Sequence, residues 1–142
     1  MMTDEVEWNA FNRNVIDEFR ANEGKVGGMF AGAPMILITH KGAKSGRLYT
    51  SPLVYTRDAD NVVIIASKGG APDHPGWYKN LVANPDVTVE IGTEKYAGHA
   101  RVAAGAERDR LFRAQADLMP NFDEYQSKTT RQIPVIVLER LD

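Results

Sequence analysis

The chain has 142 residues, 43% of them hydrophobic and 25% charged, with a formal net charge of −2. That is enough for one domain with a real core, and the charge balance excludes a general nucleic-acid binder. There is no cysteine, which excludes disulfides, thiolate metal sites and cysteine nucleophiles.

The start Met1-Met2-Thr3-Asp4-Glu5 is acidic and lacks an apolar signal core. No apolar run approaches the ~20 residues of a membrane span. The expectation is a cytoplasmic protein, with membrane association through a surface helix as the weaker alternative. The spacing predicts an amphipathic helix over residues 4–22. Thr3 can cap it, Asp4 and Glu5 suit its first turn, and Trp8, Phe11, Val15 and Phe19 form one apolar stripe. Asn22-Glu23-Gly24 supplies a stop. Residues 24–34 carry Gly24, Gly27, Gly28 and Gly32, and read either as a linker or as a flap over a ligand.

Residues 35–102 are strand-like. The apolar run Met35-Ile36-Leu37-Ile38 leads into a basic, glycine-punctuated turn, Lys41-Gly42-Ala43-Lys44-Ser45-Gly46-Arg47, and a second strand follows over residues 48–57. Asp58-Ala59-Asp60-Asn61 signals a hairpin. Val62-Val63-Ile64-Ile65-Ala66-Ser67 is continuously apolar, as a strand buried on both faces would be. Lys68-Gly69-Gly70-Ala71-Pro72 breaks it. A short helix is predicted over residues 77–83, then strands over residues 87–91 and 95–103. A second amphipathic helix is expected over residues 106–119, ended by Pro120-Asn121, with a further helical turn at Asp123-Glu124-Tyr125-Gln126. The last strand, residues 133–138, must place Pro134 at an edge or at its start. Short strands joined by tight turns favour a small antiparallel barrel with flanking helices.

Three familiar kinds of chemistry are missing. His40, His74 and His99 form no ligand spacing. No G-x-S-x-G elbow supports a hydrolase, and no G-x-G-x-x-G follows a strand to make a Rossmann site. What remains is three loops suited to a ligand: the basic turn 41–47, Ser67-Lys68-Gly69-Gly70, and Pro75-Gly76-Trp77-Tyr78-Lys79-Asn80. Each alone has a bland explanation as a solvated turn, a strand end or a helix start. Together they offer cations for a polyanion, small residues for backbone approach, and a flat aromatic for a ring.

The words Gly42-Ala43-Lys44-Ser45-Gly46, Ser51-Pro52-Leu53, Ala66-Ser67-Lys68-Gly69-Gly70, Pro75-Gly76-Trp77-Tyr78-Lys79-Asn80-Leu81 and Ala83-Asn84-Pro85 stand in that order. Tyr125-Gln126 and Thr130-Arg131-Gln132-Ile133-Pro134 follow. With them the sequence resembles the deazaflavin-dependent nitroreductase family, split-barrel oxidoreductases that use coenzyme F420. The likeness covers residues 23–138.

The resemblance implies a mainly β fold, a split β-barrel of the FMN-binding type, with residues 1–24 as helix and cap and residues 25–142 as the F420-binding domain. It places Lys41, Lys44, Arg47 and Lys68 on the anionic tail and Ser45 and Gly46 on the phosphate. Ser51, Pro52, Leu53, Val54, Ala66, Ser67, Gly69, Trp77, Tyr78 and Asn80 complete the cofactor site. Tyr125 and Ser67 are the candidate catalytic donors, with no metal. The implied reaction is hydride transfer from F420H2 to a quinone-like, enone or nitro acceptor. The family's nitro-reducing members carry more aromatic residues where Val54, Phe122 and Lys128 stand, and a further basic residue is common near Tyr49. Alternatives are an F420 storage protein with little turnover and an FMN-binding split-barrel protein. Partners are limited to a small-molecule acceptor and, if the chain assembles, a second copy of itself.

Overall fold

The computed structural model describes residues 2–141, with side chains described from Ala10 onward except that of Met29. Helix α1 spans Met2–Ala21. Strands β1 (Met35–Lys41), β2 (Leu48–Val54), β3 (Thr56–Asp58) and β4 (Asn61–Ile65) follow. After α2 (Gly76–Ala83) come β5 (Asp86–Ile91), β6 (Glu94–Val102), α3 (Gly105–Leu118), α4 (Asn121–Ser127) and β7 (Val135–Arg140). Among the described residues no helix is long and apolar enough to cross a membrane.

The seven strands form one antiparallel sheet in the order β2-β1-β5-β6-β7-β4-β3. Its two edge strands, β2 and β3, are separated in the chain by Tyr55 alone. Laid flat, seven strands about 4.8 Å apart would hold their edges nearly 30 Å from each other. One residue bridges only about 3.5 Å. The sheet must therefore roll until its edges meet at Tyr55, which makes it the expected split half-barrel.

Alternation sorts the side chains into two layers. Ile36, Ile38, Val62, Ile64, Val87, Val89, Ile136 and Leu138 fill the barrel interior. On the outside, Met35 and Leu37 pack on Val15 and Phe19 of α1. Val63, Ile65, Val135 and Val137 pack outward on Leu111, Phe112 and Ala116 of α3 and Phe122 of α4. β1, β4 and β7 thus have cover on both faces, which is why their sequences read as unbroken apolar runs.

Several boundaries differ from expectation. α1 starts at Met2; the predicted cap Thr3, the first-turn Asp4 and Glu5, and the stripe residue Trp8 have side chains outside the described residues. β4 ends at Ile65, so Ala66 and Ser67 belong to the loop. α3 ends where Pro120-Asn121 predicted, and the further helical turn is a separate helix over residues 121–127, because Met119 leaves helical geometry (φ −135°, ψ 88°) and Pro120 restarts it. β7 begins at Val135, with Pro134 just outside it, where the missing N–H costs nothing and the carbonyl accepts from Ala66 N–H at 3.0 Å. The stop after α1 is Gly24, at φ +90°, whose N–H returns to Phe19 O at 2.8 Å. A Cβ there would stand 2.7 Å from Gly92 Cα, so glycine also lets the chain cross the β5–β6 turn.

Candidate functional site

A cleft of about 740 Å³ opens at the split of the barrel. One wall is Ser51, Pro52, Leu53 and Val54 on β2, facing the start of α2 at Pro75, Gly76 and Trp77. Ser67, Lys68 and Gly69 form the floor, and Met119, Asn121, Phe122 and Tyr125 close it from the helical side. Asn12, Phe30 and Ala33 contribute a lip from the N-terminal segment. The walls are largely apolar and aromatic, with polar groups confined to a few points, as small-molecule sites generally are.

The floor has an unusual backbone. Ser67 is right-handed helical (φ −76°, ψ −39°), and Lys68, Gly69 and Gly70 then take φ of +48°, +63° and +84°. A right-to-left-handed step turns successive N–H groups toward one side and forms a concavity for an anion. Lys68 is not a glycine, so its left-handed backbone is held against a cost of order 1–2 kcal/mol. The cost is met from behind by Arg131. Its guanidinium donates to Ser67 O at 2.7 Å, Ala71 O at 2.9 Å and Ala66 O at 3.2 Å, and to His74 Nδ1 at 3.1 Å. Partial burial among these carbonyls draws the Arg131 pKa down, and the guanidinium remains the donor. Gln126 on α4 anchors Arg131 in turn. Its amide donates to Arg131 O at 2.8 Å, while its carbonyl accepts from Ile133 N–H at 3.0 Å and from Arg108 at 2.9 Å.

At the other end of α2 sits the basic turn. Gly42 N–H donates to Arg47 O at 2.7 Å and Gly46 N–H to Gly42 O at 3.1 Å, closing it into a compact loop. Lys41, Lys44 and Arg47 project from it into solvent. Asn80, one helical turn beyond Trp77, accepts from Ala43 N–H at 2.9 Å and so docks the loop on α2. The same Asn80 side chain reaches His40 Nδ1 at 3.0 Å, and His40 Nε2 reaches Ser51 Oγ at 2.9 Å. His40 is 3% exposed, and burial pushes its pKa down to about 4, so the ring is neutral at pH 7.

Of the residues singled out from sequence, the structure gathers Ser51, Pro52, Leu53, Val54, Ser67, Lys68, Gly69, Trp77 and Tyr125 around the cleft. Lys41, Lys44, Ser45, Gly46 and Arg47 stand outside it on the turn, roughly 5 Å of helix rise away through Trp77 and Asn80. Ala66, Tyr78 and Asn80 lie behind the walls. Ala66 is fully buried, the Tyr78 ring packs on His74 at 4.7 Å, and both ends of the Asn80 amide are engaged. Sequence reasoning passed over Asn12, Phe30, Ala33, Ile65, Met119 and Asn121 as lining residues, and His40 and Arg131 as supports. Arg131 had a signal, since it sits in a quoted word of the resemblance. His40 had only its place, two residues after Ile38 on an inward-facing row.

Tyr125 is half-buried, edge-on to Phe122 with ring centroids 5.4 Å apart. Its phenol oxygen accepts from Asn121 Nδ2 at 2.8 Å, which leaves its own proton free to be donated.

Residues 11–140 match the family model of the F420H(2)-dependent quinone reductases. An F420H(2)-dependent quinone reductase of Mycobacterium tuberculosis is 41% identical over 126 residues, 86% of this chain and 85% of that protein. Among solved structures, an F420-H2 dependent reductase superposes with a TM-score of 0.69 at 40% identity, covering 75% of this chain and 94% of the other. A chain described as a domain-swapped dimer superposes with a TM-score of 0.71 at 35% identity, over 98% of this chain and all of that one. The rolled sheet, the cleft at its split and the match along nearly the whole length agree: this chain belongs to the F420H2-dependent quinone reductase family, oxidoreductases that draw their hydride from coenzyme F420.

Proposed function

We propose that this chain holds F420 with its ring in the cleft and its anionic tail toward the basic turn, and reduces a quinone-like or enone acceptor stacked against that ring. The observation that carries the reading is an apolar, aromatic-walled cleft with a left-handed loop in its floor and a solvent-exposed basic turn docked on α2 beside it, two places whose chemistry suits an anion. One is the left-handed floor at Ser67, Lys68 and Gly69. The other is the turn bearing Lys41, Lys44 and Arg47, with Ser45 and Gly46 as its phosphate contacts. A single FMN phosphate needs only one of these.

Reduced F420 supplies a hydride when bound. The chain's own residues bind, orient and exclude water. Leu53, Val54, Trp77 and Phe122 desolvate the ring, and Lys68 neutralises nearby negative charge. Ser67 and Tyr125 sit where a hydroxyl can donate to an acceptor oxygen as charge arrives on it. α1 covers one side of the barrel through Val15 and Phe19. The remaining readings, a cytoplasmic chain acting as a monomer or homodimer and accepting enones or nitro compounds as well, are part of the same proposal.

Side-by-side titration of the purified protein with F420 and FMN tests it. F420 is expected to bind with micromolar or better affinity and FMN much more weakly, with F420 affinity falling as salt rises. Lys44→Ala and Lys68→Ala should each weaken F420 binding and leave the apo Tm nearly unchanged, since exposed cations contribute little to folding. FMN binding equal to or tighter than F420 would overturn the assignment.

Tyr125→Phe separates the phenol's chemistry from its packing. The ring and its contact with Phe122 survive the change; only the hydroxyl goes. If the phenol donates in the transition state, kcat/KM for a quinone such as menadione falls about 10-fold or more, as loss of roughly 1.4 kcal/mol requires. F420 binding should stay within twofold or so. Unchanged turnover would restrict Tyr125 to shaping the wall.

A further inference from the structure

We infer that His40 and Asn80 act as positioning residues that fix the direction of a hydrogen-bond chain, so that Ser51 presents its hydroxyl proton to the cleft and receives an acceptor oxygen of the bound ligand.

The direction can be deduced from one proton whose place is certain. The backbone N–H of Ala43 can only donate, so the Asn80 atom 2.9 Å from it is the carbonyl oxygen. The other end of that amide is then the NH2 group, which also only donates, and it faces His40 Nδ1 at 3.0 Å. Nδ1 must therefore be the bare, accepting nitrogen. Buried His40 is neutral and carries one proton, which falls to Nε2. That N–H donates to Ser51 Oγ at 2.9 Å. Ser51 cannot return its own proton to His40, and its hydroxyl has no other partner among the described residues.

The sheet register puts Ser51 in the right place to use that proton. Ile36, Ile38 and His40 form an inward row on β1, opposite Leu53, Ser51 and Tyr49 on β2. His40 thus stands at the mouth of the barrel interior, with Ser51 between it and the cleft that Ser51 lines. A carbonyl or phosphoryl oxygen meets a ready donor there. The chain also ties the docking of the basic turn, through Ala43, to the state of the cleft wall. The inference rests on the F420 reading for the identity of the ligand; the proton order itself is a property of the apo protein.

The test has two independent readouts. In the apo protein labelled with 15N-histidine, the His40 ring, assigned by its loss in His40→Gln, is expected as the neutral Nε2–H tautomer at pH 7. A protonated Nδ1 would overturn the inference. In F420 titrations, Ser51→Ala should bind about three- to tenfold more weakly, the range for losing one hydrogen bond, and Ser51→Thr should restore binding. Asn80→Asp removes the donor to Nδ1. Above the ordinary histidine range, at about pH 8.5, the His40 proton should move to Nδ1 and Ser51 should then donate backward to His40. Binding to Asn80→Asp should fall as in Ser51→Ala, with no further loss in the double variant. Wild-type binding that Ser51→Ala leaves unchanged overturns this inference and leaves the F420 reading standing. A wild-type chain that does not bind F420 overturns both.

Discussion

Arg131→Ala is expected to lower Tm by roughly 10 °C and to abolish measurable F420 binding. The guanidinium reaches three backbone carbonyls, of Ala66, Ser67 and Ala71, and the ring of His74. Charge-assisted hydrogen bonds contribute about 1.5–3 kcal/mol each when buried, and Arg131 is only half-buried. A loss of about 3 kcal/mol is therefore the reasonable scale, which corresponds to about 10 °C in a chain of this size. The binding loss has a separate cause. Without Arg131 the carbonyls of Ala66, Ser67 and Ala71 lose their shared donor. The loop's own Gly70 N–H to Ser67 O and Ala71 N–H to Lys68 O bonds and its contact with α4 are left to hold the right-to-left-handed step, and the anion concavity in the cleft floor relaxes. Arg131→Lys should rescue little, because a lysine ammonium cannot span three carbonyls as the planar fork does. Thermal denaturation with and without F420 measures both effects. An Arg131→Ala protein that binds F420 normally would show that the floor holds its shape without this brace.

Gly70→Ala should cost about 2–5 kcal/mol and release the floor from α4. Two penalties coincide there. The residue is left-handed at φ +84°, worth about 1–2 kcal/mol for any side chain. A Cβ would also stand 2.6 Å from the Tyr125 carbonyl oxygen and 3.0 Å from Tyr125 Cα, both backbone atoms that cannot swing aside. Overpacking of that kind adds about 1–3 kcal/mol. Gly69 is the internal control. It is left-handed too, at φ +63°, but a Cβ there meets nothing within 4 Å, so Gly69→Ala should show the backbone penalty alone. Chemical denaturation of the two variants should separate them by more than about 1 kcal/mol. Equal losses would mean that the floor and α4 are not in the contact described. Because Tyr125 and Gly70 share that contact, Gly70→Ala should also impair quinone turnover, through displacement of the phenol.

What the sequence determined by itself follows from local rules. The apolar run Met35-Ile36-Leu37-Ile38 marked a strand, and the unbroken run Val62-Val63-Ile64-Ile65 marked one covered on both faces. Glycine and proline placed the turns at Gly42–Arg47 and Lys68–Pro72. The ligand loops were legible because each is short and its residue types point to one chemistry: cations, small residues, a flat ring. The family resemblance was carried by the same contiguous words. The end of α3 was legible in Pro120-Asn121, but the full length of α4 was not: Met119 alone leaves helical geometry and Pro120 already restarts it, and hydrophobic spacing is blind to so short an interruption. What only the tertiary structure decided depends on contacts across many residues. The closure of the sheet came from its strand order, in which β2 and β3 are neighbours in the chain and opposite edges in space. The lip made by Asn12 and Phe30 depended on where the glycine-rich segment crosses the barrel. His40 looked like an isolated histidine until Asn80, 40 positions later, supplied its donor. Arg131 likewise acquired its role from carbonyls 60 to 65 positions earlier. Hydrogen bonds have direction and reach of about 3 Å. A sequence shows which groups can donate and accept, and only the folded chain brings a particular donor within that reach of a particular acceptor.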